Sequence, residues 1–267
     1  MTASSSRRQL TRAAFTGAAL TGAALAAALL LLTGCGSGWG WYEVLPTTPR
    51  GRDNFFFLLS GFWLTIAISG TSIFFSVIIG LIVALPGLAK DKRLRWLNRI
   101  YVEIFRAIPI LVMLLWTYYG LPILLGISMT PFLAGVVALA LCDSAFEAEI
   151  FRGGIQSIDR GQIDGADSLG LSYFQKMRFV ILPQAIRRIL PAMGNQFVYM
   201  LKMSSLVYVL GLGELTRRAN ELSVTVYRPL EIYTVLVLEY LVLILVVSWL
   251  VRRLEKRMGA NVLQAGR

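Results

Sequence analysis

The residues able to do chemistry are few, and most of them stand in apolar company. The 267-residue chain has no histidine, which excludes imidazole ligands, bases and triads. Its two cysteines, Cys35 and Cys142, do not suggest a disulfide framework. No G-x-x-x-x-G-K-S/T phosphate loop is present. What remains is a scatter of ionisable and hydroxyl side chains in or beside long apolar runs. A charge in hydrocarbon is costly unless it faces a cavity or a partner. Asp143 is the deepest of these charges. It either lines a solute path, where it suits an ammonium group, or ties helices together. Lys202 needs a partner or an aqueous cavity, and Asp143 is the candidate partner. Ser204 and Ser205 either add hydroxyls to a polar path or bond back to their own helix. Glu147 and Glu149 are expected to pair with Arg152, and Glu103 with Arg106 three residues on. Glu239 is the lone acid of the last apolar run and is expected to pair inside a bundle.

The elements that must hold these residues are membrane helices. Hydrophobic residues make up 56% of the chain and charged residues 15%, against about 25% charged in a soluble domain. Mean hydropathy is +0.66. A helical span needs about 20 apolar residues. Five stretches qualify: Phe55–Gly87, Ile100–Pro122, Pro131–Glu149, Ile189–Leu212 and Leu230–Leu250. The net charge of +11 raises nucleic acid or a membrane as partner, and its placement selects the membrane. Five basic residues fall in 90–99, six in 151–188 and five in 252–267, but none in the turn 119–129. An excess on one side marks that side as cytoplasmic. The expectation is an all-α membrane protein with five spans, N-terminus outside and C-terminus inside, with no nucleic acid partner.

Residues 1–35 stand apart. Arg7 and Arg8 precede an apolar run from Ala13 to Leu32, and Leu32-Thr33-Gly34-Cys35 follows. This is the layout of a secretory signal peptide, with a lipobox-like end at which Cys35 would be lipidated. A retained first helix or a start assigned too far upstream are the alternatives. Residues 36–53 then form an external linker, 54–256 the membrane domain and 257–267 a cytoplasmic tail.

The stretch GQIDGADSLGLSYFQKMRFVILPQA, residues 161–185, interrupts the apolar sequence. Gly161, Gly165 and Gly170 permit turns and close approach. Helix is expected to about Ile158 and again over about Ala166–Phe179, broken near Leu169–Leu171, with Ser172 as a cap. Pro183 is expected to interrupt the helix. Phe174, Met177 and Phe179 can share one face. Such a face either packs on its own bundle or docks into another protein.

Here the chain resembles the membrane-spanning permease subunit of ATP-binding-cassette importers for polar amino acids. In that family a cytoplasmic loop reads EAA, three residues, glycine, nine residues, then I-x-L-P. Here the positions hold Asp164-Gly165-Ala166, Gly170 and Val180-Ile181-Leu182-Pro183. Asp replaces Glu, and Gly165 loosens the helix by roughly 1 kcal/mol relative to Ala. Gly61-Phe62-Trp63-Leu64-Thr65, Tyr101 to Pro109, Asn195-Gln196-Phe197 and Lys202 to Leu206 also resemble family segments. Met113 stands where a glutamine is usual, and Asp143 where an asparagine is usual.

The resemblance implies a five-helix type I permease core in a bacterial cytoplasmic membrane. It implies coupling to an ATPase through Gly161, Asp164, Gly165, Ala166, Gly170, Leu171 and Pro183. It implies a solute path drawn from Asp143, Lys202, Ser204, Ser205 and Met113. The implied partners are two copies of a cytoplasmic ATPase, a second permease of the same or a sister chain, and an external amino acid-binding protein. ATP and Mg2+ would sit in the ATPase, with no cofactor or metal in this chain. A secondary transporter or a non-transporting assembly subunit is the alternative.

Overall fold

The computed structural model describes residues 40–257, apart from the side chain of Lys256. The chain divides into units 1–40 and 41–267. The signal-like segment with Cys35, and the tail beyond 257, lie outside the described residues. Among those residues the structure is helical and has no strand.

After a short 3-10 turn, Trp41–Glu43, helix α1 runs over Pro49–Leu59. Thr48 caps it, accepting from the Gly51 amide, and Pro49 supplies a favourable first residue. Helix α2, Phe62–Leu88, carries a stripe of small or hydroxyl residues on its buried face: Thr65, Ser69, Ser72, Ser76, Gly80 and Ala84. Their spacing of three or four keeps them on one side. That side packs along α6, Pro131–Gln156, whose buried face is likewise rich in Ala, Gly and Ser. Lipid is as apolar as leucine, so helix pairs in membranes gain from close packing rather than from water exclusion, and small residues permit it. At Gly80 a Cβ would lie 2.6 Å from Glu147 Cβ and 3.0 Å from the Ser144 carbonyl oxygen. Helix α6 is the most enclosed of the long helices.

The second expected span differs from its expectation. Residues 92–107 form helix α3, Lys92–Ala107, capped by Asp91. A separate segment then begins at Ile110: α4, Ile110–Leu115, a π-helical turn Trp116–Gly120, and α5, Leu121–Leu125. The two directions differ by 95°. The break is at Ile108–Pro109. Proline forces its predecessor out of the α region, and Ile108 adopts φ −78, ψ 123. The basic 90–99 stretch is thus mostly helix, not loop.

Helix α7, Arg160–Ser168, follows α6. Helix α8, Tyr173–Lys176, runs through a π-helical turn, Met177–Ile181, into α9, Leu182–Met203, and a 3-10 segment, Ser204–Leu210. Pro183 does not interrupt the helix, because it sits at the start of α9, where the wide turn has already shifted the hydrogen bonding. Helix α10, Leu215–Val226, is capped by Glu214, and α11 covers Pro229–Arg257.

Among the described residues, three segments are long and apolar enough to cross a membrane: 49–88, 131–156 and 229–255. The two bent pairs, 92–125 and 173–226, reach that standard when each pair is taken together. One buried core joins Ile68, Met113, Leu114, Leu139, Met200 and Val207. A second joins Val44, Leu58, Leu201, Leu215 and Ile232.

Candidate functional site

The polar stretch between α6 and α9 folds as an elbow with its own small core. Asp159 caps α7, accepting from the Gly161 amide at 2.7 Å. The helix therefore starts six residues earlier than expected, and Gly161 and Gly165 lie within it. It ends in a Schellman motif. The Leu171 amide donates to the Ala166 carbonyl at 3.2 Å, and the Gly170 amide to that of Asp167 at 2.9 Å. Gly170 takes φ +69 and a Cβ there would touch nothing within 4 Å. Backbone conformation, not close approach within the chain, is what requires glycine at this position. Ser172 then opens α8 with a capping box, its partner being Gln175.

Three polar ties hold the elbow shut. Lys176 pairs with Asp167, Gln184 donates to the side chain of Gln162 at 3.3 Å, and Arg188 donates to the Ser157 carbonyl. Beneath them Ile158, Ile181, Ala185 and Ile189 are buried, with Ile163 and Met177 packed against them. Met177 thus belongs to the elbow's own core. Phe174 and Phe179 do not join it. Leu169, Tyr173 and Phe174 remain 80%, 74% and 71% exposed around the Gly170 turn. A compact polar elbow with an apolar tip offers a surface for another molecule.

A second polar feature is buried between helices. Asp143, on α6, accepts from the Ser76 hydroxyl of α2 at 2.5 Å and from the Gln196 amide of α9. At the next residue of α6, Ser144 and the Tyr101 hydroxyl share a 2.7 Å hydrogen bond. Glu147 is fully buried, and neither of its carboxyl oxygens has a hydrogen-bond partner among the described residues.

The family model described as binding-protein-dependent transport system inner membrane component matches residues 76–260. The chain belongs to this family. It is 35% identical to the arginine transport system permease protein ArtQ of Bacillus subtilis, over 77% of this chain and 94% of that one. It is 39% identical to the probable glutamine ABC transporter permease protein GlnM of the same organism, over 77% and 95%. Among solved structures it resembles an amino acid ABC transporter crystallised with histidines, with 39% identity, a TM-score of 0.72, and coverage of 77% of this chain and 96% of that one. The chain is a permease subunit of an ATP-binding-cassette import system and not itself an enzyme.

Other expected site residues of the permease lie apart from Asp143 or are bonded differently. Lys202 does not meet Asp143. It lines a separate cleft of about 470 Å³ between α9 and α11, with Tyr199, Asn195, Arg252 and Glu255. Asp143 has already spent its oxygens on Ser76 and Gln196. Ser204 and Ser205 donate to the carbonyls of Leu201 and Lys202, three residues back in each case. Met113 is buried in the apolar core. Glu149 and Arg152 form a two-pronged pair, at 2.6 and 2.9 Å. Glu147 has no such partner, because it points toward Gly80 on α2 rather than toward Arg152. Glu103 and Arg106 are not paired either. The Arg106 guanidinium lies over the Phe146 ring, 5.0 Å from its centre. Glu239 has no hydrogen-bond partner among the described residues and borders an apolar cleft with Phe55, Phe62 and Val235.

The sequence assigns no site role to Ser76 or to Gln196, the latter named only within a family-like segment. Ser76 is one of several hydroxyls on α2, and only the fold shows which one faces a carboxyl. Gln196 carried a usable signal, a long amide in an otherwise apolar run.

Proposed function

We propose that this permease forms half of the membrane path of an ATP-driven importer for a polar amino acid. The arginine and glutamine systems named for its relatives support that substrate class. Each bent pair is read as one span, giving five spans, with the N-terminal side outside and the elbow and C-terminus in the cytoplasm of a bacterial cell. The basic residues concentrated at 90–99, 151–188 and 252–267 support this orientation. The partners are two cytoplasmic ATPase subunits that hold ATP and Mg2+, a second permease, and an external binding protein that delivers the solute. Asp143 and Lys202 are polar stations of the path, the first between α2, α6 and α9 and the second in the cleft against α11.

The observation that carries the reading is the elbow. Its core is internal, so its exposed Leu169, Tyr173 and Phe174 are free to enter a groove of the ATPase. ATP-driven closure of the ATPase pair would then move α6 and α9 through α7 and α8. The test is Phe174→Asp combined with Leu169→Asp in the purified transport complex. The expected result is loss of ATPase copurification and of ATP hydrolysis stimulated by the loaded binding protein, with the permease still folded. Full stimulation in this variant would reject the reading.

A further inference from the structure

Helix α3 exposes arginines on one side and large apolar residues on the other. Arg95, Arg99 and Arg106 recur at intervals of four and seven, on one stripe of the helix. Leu97 and Ile104 lie on the opposite stripe and are exposed. The arginine stripe is itself exposed and borders a cleft of about 270 Å³ that also receives Glu103, Glu149 and Arg152. Arg152 is taken by Glu149 through its two-pronged pair. In all, four guanidinium groups border the cleft against the two carboxylates of Glu103 and Glu149. None of Arg95, Arg99 and Arg106 forms a close ion pair among the described residues, although Arg106 lies over the Phe146 ring and also attracts the Glu149 carboxylate.

An unbalanced set of guanidinium groups in a half-enclosed cleft is a site for an anion with several oxygens. Guanidinium forks suit phosphate geometry in particular. The volume suffices, since a water occupies about 30 Å³ of liquid. The position of the cleft identifies the source. Helix α3 is the basic limb of the bent pair read above as one span, and it meets the following segment at 95°, so in that reading its basic start lies at the inner surface. Its outward Leu97, Ile104 and Trp96 are exposed, as on an interfacial helix that lies among acyl chains. Basic residues flank it at Lys92 and Arg93, and the inner leaflet is the anionic one.

We propose that this cleft binds the headgroup phosphate of an anionic lipid of the cytoplasmic leaflet. The lipid's tails lie along the outward face of α3. The site adjoins Arg152, which also donates to Gln156 at the last residue of α6. Occupancy is therefore read at the base of the elbow. The inference rests on the orientation proposed above, and its test separates the two.

The test uses the complete complex, purified with its partners and placed in nanodiscs of phosphatidylcholine with or without phosphatidylglycerol. Retained lipid is counted by native mass spectrometry after transfer to detergent. The expected result is phosphatidylglycerol retained on the permease, lost at least fivefold in Arg95→Ala/Arg99→Ala, and unchanged in Arg253→Ala. Arg95→Lys/Arg99→Lys, which keeps charge but not the fork, should retain an intermediate amount and shows that loss is not misfolding. Equal retention in all variants overturns the proposal. Displacement by millimolar inorganic phosphate overturns the lipid as its source. A cross-link from Arg99→Cys to the ATPase in place of lipid assigns the cleft to that protein and overturns it too. Labelling of Leu94→Cys in intact cells by an impermeant thiol reagent, with lipid retention preserved, would reject the orientation and leave the phosphate site standing.

Discussion

Gln196 on α9 donates its side-chain amide to Asp143 on α6, which joins residues 53 apart in sequence through one half-buried hydrogen bond. Ser76 on α2 completes the contact from the third side. Asp143→Ala would leave the hydroxyl and the amide both unpaired. Each buried orphan costs about 1–3 kcal/mol. The expected outcome is a lower unfolding temperature in detergent, by roughly 2–4 °C for each kcal/mol. Asp143→Asn should recover much of it, because its oxygen still accepts one bond. Identical melting of the alanine variant and the parent would show that the junction contributes nothing.

Gly170 tests the turn at the tip of the elbow. A residue with a side chain at φ +69 costs about 1–2 kcal/mol. Asn is tolerated there better than Leu, since its short amide can bond locally. Gly170→Asn should therefore keep most of the ATPase stimulation by binding protein, and Gly170→Leu should lose most of it. Reversal of that order would mean that side-chain size, not backbone, governs the position.

Gly80→Ala tests the packing of α2 on α6. The added methyl meets a Cβ and a backbone carbonyl, which cannot swing aside. Overpacking of this kind costs about 1–3 kcal/mol. The same change at Gly153, where nothing lies within 4 Å, should leave the melting temperature unchanged or raise it. The comparison is one thermal-denaturation series on the two variants.

Glu214 holds the start of α10. Its carboxylate accepts from the amides of Thr216 and Arg217 at 2.9 and 2.7 Å and from the Tyr240 hydroxyl at 3.0 Å. Loss of a cap costs about 0.5–2 kcal/mol. Glu214→Ala should speed amide exchange over 215–218 more than elsewhere. Glu214→Gln, which keeps one acceptor, should show a smaller effect. Uniform exchange across α10 in both variants would count against the cap.

Which parts of this were legible in the sequence follows from how local their causes are. The long apolar runs, the Ser172 cap and the family pattern around Gly170 are local, and the sequence displays them. The turn at Ile108–Pro109 was also written there, but the surrounding apolar run hid it. The Asp159 cap is local too, but Gly161 and Gly165 mask the helix that it opens. The fate of Lys202 was not legible. Helix periodicity puts a residue on a face, but which neighbour that face meets depends on the packing of α9 between α6 and α11. Gln196 and Lys202 lie six residues apart on one helix and face different neighbours for that reason. Glu147 shows the same limit, since its arm reaches the small-residue stripe of α2 and not the nearby arginine.

The small core under the elbow has a mechanical meaning. Ile163 of α7, Met177 of the π-helical turn and Ile189 of α9 gather with Ile158 and Ile181 in one cluster. If the elbow docks as proposed, a push at Leu169 would reach the end of α6 and the beginning of α9 together, and since α9 carries Gln196 as well as Lys202, it would arrive at the polar junction as a change in its spacing.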